Sequence, residues 1–248
     1  MTFVRKLWRL SIFLLWMWPF AFYSLFRSLP GRRGIRNVAY CTRSWGKFLV
    51  RIFGVEINFI ANHPISEGML IVSNHQSYLD VLIHASLFPI RFTPKAEIRR
   101  WPVLGFYLGI SRPVWVDRKN RQKSAETLRE IHRTLQDGVS LLVYPEGTTT
   151  DGEQKILPFK PTAFAAVLNT PFKIQPLVTR YLRDEDNWNP AWFGDQTLLP
   201  HLWKFIGRRR TRVEVIALEM VTALPGEDRK ALAARVEKII TEAMESLP

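Results

Sequence analysis

The stretch Asn74-His75-Gln76-Ser77-Tyr78-Leu79-Asp80 sets a histidine close to a carboxylate. It follows the apolar run of residues 69–72, which is typical of a buried strand that would bring both side chains to an edge of a sheet. A neutral imidazole can take a proton from a hydroxyl, and a carboxylate on its other nitrogen holds the tautomer and stabilises the imidazolium. His75 and Asp80 therefore predict the chemistry of acyl transfer to an alcohol.

The spacing within the stretch bears on where each side chain lies. On an ideal helix, residues five apart differ by about 140° around the axis, so His75 and Asp80 would not share a face. We therefore expect His75 in the turn that precedes the helix. The structural alternative is a capping box, in which Ser77 and Asp80 cap the helix and His75 merely finds a partner nearby. The stretch by itself leaves both interpretations open.

The composition is that of a globular protein with an anionic partner. The 248 residues are 47% hydrophobic and 23% charged, which suffices for one sizeable core and at most two domains. Cys41 is the only cysteine, so neither an internal disulfide nor a cysteine-based zinc site is expected. The formal net charge of +13 predicts binding to a nucleic acid, a membrane surface or an acidic substrate.

The distribution of this charge favours lipid as the partner. No acidic residue precedes Glu56, whereas ten cationic residues do: Arg5, Lys6, Arg9, Arg27, Arg32, Arg33, Arg36, Arg43, Lys47 and Arg51. Among them lies the apolar segment of residues 10–26, which is rich in aromatic side chains. Trp and Tyr side chains settle at membrane interfaces. A nucleic-acid-binding arm would not be this apolar, so we expect contact with an anionic leaflet.

The first 53 residues predict a helical hairpin that dips into one leaflet. Residues 10–26 would form a helix of about 25 Å, shorter than a hydrocarbon core of about 30 Å, and Pro19 interrupts them. A second amphipathic helix follows, with apolar residues at helical spacing: Val38, Cys41, Trp45, Phe48, Leu49 and Ile52. A signal peptide would need a small-residue cleavage site, and a transit peptide would be less aromatic. We therefore divide the chain into a membrane-associated hairpin, 1–53, and an α/β domain, 54–248.

From Gly54 onward, strand and helix patterns alternate, as in an α/β fold. Strands are expected at 55–59, 69–73, 114–116, 141–144 and 174–178, and helices at 79–87, around 125–135 and at 229–247. We expect a central mixed sheet with helices on both faces, preceded by the N-terminal helical hairpin. Ligands of such sheets bind at strand ends, where residues 74–80 and 145–152 both lie.

Four motifs in order give the chain a specific resemblance. It resembles the glycerolipid acyltransferase family, typified by 1-acyl-sn-glycerol-3-phosphate acyltransferases. The family's first motif, Asn-His-x-x-x-x-Asp, matches residues 74–80, and its second, an apolar strand ending in Val-Asp-Arg, matches 116–118. Its third, Phe-Pro-Glu-Gly-Thr-Arg-Ser, corresponds to Tyr144-Pro145-Glu146-Gly147-Thr148-Thr149-Thr150, and its fourth, an apolar strand with a proline, to 174–178. One motif would be weak evidence, whereas four in sequence are specific.

The resemblance implies an O-acyltransferase that takes its acyl group from acyl-CoA or acyl carrier protein and gives it to a lyso-lipid hydroxyl. His75 would be the general base and Asp80 its orienting partner. The implied substrate-binding residues are Lys95, Arg118, Glu146, Gly147, Thr148, Thr149 and Lys160. Arg118 suits a phosphate, because a guanidinium keeps its charge and presents a planar fork of donors. Neither a cofactor nor a metal is implied, and the active site would face the cytoplasm.

One position departs from the family pattern and bears on the acceptor. Relatives that act on lysophosphatidic acid usually carry Arg after Glu-Gly-Thr, where this chain has Thr149. Without that arginine, a phosphate would forgo one charge-assisted hydrogen bond, worth about 1.5–3 kcal/mol. 1-Acyl-sn-glycerol-3-phosphate, giving phosphatidic acid, is the leading acceptor because it prevails in the family; lyso-ornithine lipid or another lysophospholipid is the alternative. A catalytically silent membrane-binding module is a remoter alternative that leaves the ordered motifs unexplained.

Overall fold

The computed structural model describes residues 2–27, 32–101, 104–117, 121–152, 156–183 and 186–247, and within them a single sheet is flanked by helices. The strands are β1 (Val55–Ala61), β2 (Leu70–Ser73), β3 (Ile90–Phe92), β4 (Ser140–Val143), β5 (Ile174–Leu182) and β6 (Thr211–Ala217). The helices are α1 (Thr2–Arg27), α2 (Arg32–Phe53), α3 (Leu79–Leu87), α4 (Leu104–Ile110), α5 (Arg121–Gln136), α6 (Leu198–Ile206) and α7 (Arg229–Glu245).

The strand order is β1-β6-β5-β2-β4-β3, and the sheet is mixed. Strands β5, β2, β4 and β3 run parallel, β6 is antiparallel to β5, and β1 is parallel to β6. The carboxyl ends of β2 and β4 therefore meet at one edge, together with the amino ends of β6 and β1. Central β2 is buried along its whole length, which explains why its sequence is a continuous apolar run.

Helices cover both faces of the sheet, as expected from the sequence. On one face, Ile71 of β2 packs in a cluster with α2, α3 and α6, which includes Leu49, Ile83 and Phe205. On the other face, Leu70 and Val72 pack with α5 and α7. The side-chain period of two along β2 sends alternate residues to opposite cores. The predicted fold class is thus confirmed.

The predicted strand at 114–116 is wrong. Residues 114–116 run beside the segment after β3, but they form an isolated bridge between Lys95 and Val116 and no strand. Val114 N donates to Phe92 O, and Val116 N donates to Pro94 O. The donor that would join these two hydrogen bonds into a ladder is missing, because Pro94 has no N–H.

The two N-terminal helices form an antiparallel pair on one face of the sheet. Ring contacts join Phe13 to Phe53, Trp16 to Phe48 and Phe20 to Trp45, so that α2 runs back along α1. Helix α2 also approaches α3 closely, since a Cβ on Gly46 would lie 2.7 Å from Ser86 N. Leu49 and Phe53 belong to the same core as the sheet. The division at residues 53 and 54 stays a prediction, and these contacts make α2 a structural part of the α/β core.

Helix α1 carries an exposed apolar face along its length. By length and composition, Thr2–Phe26 could cross a membrane, and most of its apolar stretch is not buried within the protein. Its amino-terminal part is attached to the globular core, since the Arg9 guanidinium donates to Ile206 O and Arg208 O at 3.1 and 2.6 Å. The exposed apolar residues include Phe3, Val4, Leu7, Leu14, Leu15, Trp18, Phe22, Leu25 and Phe26. A patch of exposed apolar side chains that runs along a whole helix marks an interaction surface.

Candidate active site

The predicted pair lies at the carboxyl end of β2, in the turn before α3. Helix α3 begins at Leu79, so His75 stands outside it and Asp80 lies in its first turn. The turn is fastened to β5 by Asn74, whose Nδ2 donates to Thr179 O at 2.9 Å while its Oδ1 accepts from Thr179 N at 2.8 Å. Two reciprocal backbone contacts orient Asn74 rigidly. The position of the turn thus depends on a strand about a hundred residues later in the sequence.

His75 and Asp80 are in direct contact. His75 Nδ1 lies 2.7 Å from Asp80 Oδ2, and the Asp80 carboxylate is fully buried. Burial acts to raise the pKa of Asp80, but the hydrogen bond and charge of His75, helped by Tyr181 and the Ser77 amide, hold this pKa below its usual range. A carboxylate accepts and does not donate, so Nδ1 carries the proton and Nε2 is the basic nitrogen.

The Asp80 carboxylate also binds the backbone of the turn that carries His75. Its Oδ2 also accepts from Gln76 N at 2.7 Å and from Ser77 N at 2.9 Å. Its Oδ1 accepts from the Tyr181 hydroxyl at 2.5 Å. The orienting and structural interpretations of Asp80 are therefore compatible, because one carboxylate contacts both His75 and the two amides of the turn. The Ser77 half of the expected capping box is not formed, since Ser77 Oγ has no hydrogen-bond partner among the described residues.

A stacked tyrosine and a buried hydrogen-bond network hold the His75 imidazole in place. The Tyr144 ring stacks on the His75 ring, with centroids 3.9 Å apart and planes within 10°. The Tyr144 hydroxyl lies 2.8 Å from His84 Nδ1, and His84 Nε2 lies 3.0 Å from Thr179 Oγ1. A neutral imidazole has one donor and one acceptor nitrogen, so His84 bridges the two hydroxyls. The stack limits rotation of His75, whose side chain is 17% exposed.

Neutral His84 makes the fold sensitive to acid. Burial lowers the pKa of His84 to about 4, against 6.5 for an ordinary histidine. As pH falls through 6.5 the unfolded chain takes up a proton that the folded protein refuses, so this group should cost stability increasingly down to about pH 4. We expect about 3 kcal/mol less free energy of unfolding at pH 4 than at pH 7 from this histidine.

Denaturant unfolding of wild type and His84→Gln at both pH values measures this effect. The variant should be less stable at pH 7, where it disturbs the network, but should lose about 3 kcal/mol less on acidification. His132→Gln, at a half-buried histidine outside the network, is the matched control. Equal acid sensitivity of wild type and His84→Gln would contradict the assignment.

The third motif folds against the first. Glu146 is buried, and its Oε1 accepts from His75 N at 2.7 Å while Oε2 accepts from Leu157 N at 3.0 Å. Burial raises the pKa of Glu146 above its usual range, although both amide donors act in the other direction. Gly147 has a φ of 76°, a left-handed conformation that favours glycine. Thr150 N closes the contact by donating to His75 O at 2.9 Å.

The other predicted substrate-binding residues lie around this loop, with one exception. Thr148 is exposed and Thr149 is half-buried beside Thr150. Lys160 is exposed, and its backbone N donates to Pro145 O. Lys95 is exposed beyond the carboxyl end of β3, at the same edge of the sheet. Arg118 lies outside the described residues.

Sequence reasoning missed three residues of the site. It assigned no role to Tyr181, Tyr144 or His84. The spacing of four residues between Asp80 and His84 was an available signal, since such residues share a helix face. A second signal was the tyrosine at position 144, where the family motif has phenylalanine. Nothing local identifies Tyr181.

An imidazole held by a buried carboxylate at a strand end is an arrangement with which an enzyme can activate a hydroxyl group. Comparison with known proteins agrees. The family model described as Acyltransferase matches residues 54–180. The chain belongs to this acyltransferase family.

Two relatives and one solved structure illustrate the similarity. Lyso-ornithine lipid O-acyltransferase of Brucella abortus is 32% identical over 214 residues, which cover 81% of this chain and 80% of the relative. 1-Acyl-sn-glycerol-3-phosphate acyltransferase of Neisseria gonorrhoeae is 29% identical over 249 residues, covering 96% and 92%. The crystal structure of the 1-acyl-sn-glycerophosphate acyltransferase PlsC from Thermotoga maritima has a TM-score of 0.66 at 22% identity, covering 98% of this chain and 95% of that chain.

These findings confirm several sequence predictions. The family resemblance and the enzyme class, an O-acyltransferase, are confirmed by the family match and the relatives. The likeness to the solved structure extends over the mixed sheet and the N-terminal helices. Together with the exposed apolar face of α1, the relatives support membrane association and a lipid acceptor.

Proposed function

We propose that the protein transfers a fatty acyl group from an acyl thioester to the free hydroxyl of 1-acyl-sn-glycerol-3-phosphate, giving phosphatidic acid and a free thiol. The observation that carries the proposal is the contact of His75 Nδ1 with the buried Asp80 carboxylate. A lipid hydroxyl is a poor nucleophile near neutral pH until a base shares its proton. The donor is acyl-CoA or acyl carrier protein, and the site faces the cytoplasm, where both thioesters are made.

The reaction follows from the geometry of the pair. His75 Nε2 takes the proton of the acceptor hydroxyl while the hydroxyl oxygen attacks the thioester carbonyl. Asp80 stabilises the imidazolium that results. Collapse of the tetrahedral intermediate breaks the C–S bond. The thiolate leaves with the proton returned from Nε2, so His75 is regenerated neutral. The Tyr144 stack keeps the ring aligned between these two proton transfers.

A phosphate monoester suits the edge of the sheet at which His75 lies. Lys160 is exposed beside the third-motif loop and Lys95 is exposed beyond the carboxyl end of β3, and each is a strongly hydrated point charge. Glu146 contributes by holding the His75 backbone, since both of its oxygens accept from amides. An ammonium group of the acceptor would therefore have to find another carboxylate than Glu146.

Lyso-ornithine lipid is the second candidate acceptor, and Thr149 favours it. Thr149 precedes Thr150, whose amide donates to His75 O, so its backbone lies beside the His75 turn. Threonine offers a hydroxyl without a charge where lysophosphatidate-acylating relatives carry arginine. The similarity to a lyso-ornithine lipid acyltransferase supports the same candidate.

The proposed function is tested by measuring thiol release from acyl-CoA and from acylated acyl carrier protein. Each donor is assayed with each lyso-lipid as acceptor. Release that depends on a lyso-lipid, with formation of the diacylated product, is the expected result. Thioester hydrolysis that is independent of any lyso-lipid would contradict acyl transfer. A chain that binds vesicles but consumes no thioester would be a membrane-binding module.

Substitution of Thr149 by Arg should raise the preference for 1-acyl-sn-glycerol-3-phosphate over lyso-ornithine lipid by about tenfold, near the free energy of one charge-assisted hydrogen bond. The measurement is the ratio of kcat/KM for the two acceptors at equal donor. Thr222→Arg, at an exposed threonine outside the site, is the matched control for added charge. An unchanged ratio in Thr149→Arg would mean that this side chain does not face the acceptor.

A further inference from the structure

Helix α6 exposes two large apolar side chains on one stripe. Leu199 is 75% exposed and Trp203 is 42% exposed, and residues four apart lie on the same face of a helix. The opposite side of α6 is anchored in the core by Phe205, which is 1% exposed. The orientation of α6 is therefore determined by packing, and its outward apolar stripe is a permanent feature of the surface.

This stripe is continuous with the apolar face of α1. Lys6 of α1 lies over the Trp203 ring, with Nζ 4.5 Å from the ring centroid. Phe3 and Leu10, three residues before and four after Lys6, are themselves exposed. Arg5 reinforces the junction by donating to Gly207 O at 3.0 Å.

Exposed cations border the stripe. Lys204 follows Trp203 in α6, and Arg209 and Arg210 follow in the connection to β6. Arg9 holds this connection in place through the carbonyl oxygens of residues 206, 208 and 209. Apolar side chains beside a basic border match a leaflet with anionic headgroups, which attract cations near the surface. A nucleic acid would match the charge of these cations but would not bind the exposed apolar side chains of Leu199 and Trp203.

The inner side of α6 reaches the active-site turn. His201 Nδ1 lies 3.0 Å from the Tyr78 hydroxyl, and Tyr78 stands three residues after His75. We infer that α6 is a second membrane-contacting element, which inserts Leu199 and Trp203 into an anionic leaflet beside α1 and so sets the lipid surface next to His75. This inference rests on the proposed membrane association and adds a second element to it.

Vesicle binding of the full-length Leu199→Glu/Trp203→Glu variant tests the inference. Vesicles of phosphatidylcholine with about a third phosphatidylglycerol are the probe, and cosedimentation is the measurement. The variant should bind at least about tenfold more weakly than wild type, because it loses two apolar insertions. With acceptor presented in these vesicles, activity should fall in parallel. With a short-chain acceptor dissolved as monomer, activity should stay within about twofold of wild type.

Leu224→Glu is the matched control, since Leu224 is 55% exposed and precedes α7 on the opposite face of the sheet. Equal vesicle binding by wild type and the double variant would overturn the role of α6 while leaving membrane association by α1 intact. Equal losses in Leu224→Glu would also overturn it, because the effect would then be one of charge alone. Wild type that fails to bind vesicles would overturn membrane association itself. A change of oligomeric state without a change in vesicle binding would identify the stripe as a contact between copies of this chain.

Discussion

The His75→Ala variant is expected to lose acyl transfer by about 10²–10⁴-fold, the usual contribution of a general base. The physical reason is that Nε2 is the nitrogen left for the acceptor proton once Nδ1 is bound to Asp80. The fold should stay intact but become less stable by about 1–3 kcal/mol, because the variant removes one donor to the buried Asp80 carboxylate and the ring stacked on Tyr144. The measurements are kcat with the preferred lyso-lipid and the free energy of unfolding.

Two further variants sharpen this test. His75→Asn keeps a short N–H donor near Asp80 but offers no base, so it should be as inactive as His75→Ala. His132→Ala, at a half-buried histidine bonded to Ala166 O, controls for histidine removal elsewhere. Retention of more than roughly a tenth of wild-type turnover by His75→Ala would remove His75 from the role of base.

The Asp80→Asn variant is expected to lose activity by about 10⁴-fold, since an amide does not hold the reactive tautomer of His75 with a negative charge. It should also be less stable than wild type by about 1–3 kcal/mol. Every group around this carboxylate is a donor: the Gln76 and Ser77 amides, the Tyr181 hydroxyl and His75 Nδ1. An asparagine must turn its NH2 toward at least one of them, and the residue is fully buried.

Tyr181→Phe separates the two effects of Asp80. This variant removes the donor to Asp80 Oδ1 but leaves the contact of His75 with Oδ2. We expect a loss of stability of about 1–3 kcal/mol with a much smaller loss of kcat than in Asp80→Asn. If Tyr181→Phe lowers kcat as much as Asp80→Asn does, the activity loss reports disruption of the fold and not the tautomer.

The sequence predicted His75 in a turn and Asp80 in the following helix because the pattern that specifies this strand, turn and helix is local. An apolar run, a polar turn and the start of a helix succeed one another within about a dozen residues, and α3 has the predicted bounds, Leu79–Leu87. Strand β2 is buried on both sides, so its sequence carries a strong signal. The same local logic predicted α2 and α7 close to their observed bounds.

Local propensity did not predict strands correctly where pairing with a distant segment decides whether a strand forms. Residues 114–116 have the composition of a strand, but the neighbouring segment contains Pro94, which interrupts the ladder. Strand β6 was not predicted, although Val213 and Val215 are buried in alternation with half-buried residues. The mixed character of the sheet depends on β6, because β5 and β6 are its one antiparallel pair among the described strands.

The sequence by itself determined the family, the reactive pair and the basic, apolar N-terminal segment, since each is written in neighbouring residues. The tertiary structure alone decided how that pair is supported. Tyr181 meets Asp80 across 101 residues, Glu146 holds the His75 amide across 71, and Tyr144 meets His84 across 60. These contacts arise from the order in which β5, β2 and β4 lie side by side. Strand order is a property of the folded sheet, and no local pattern of residues specifies it.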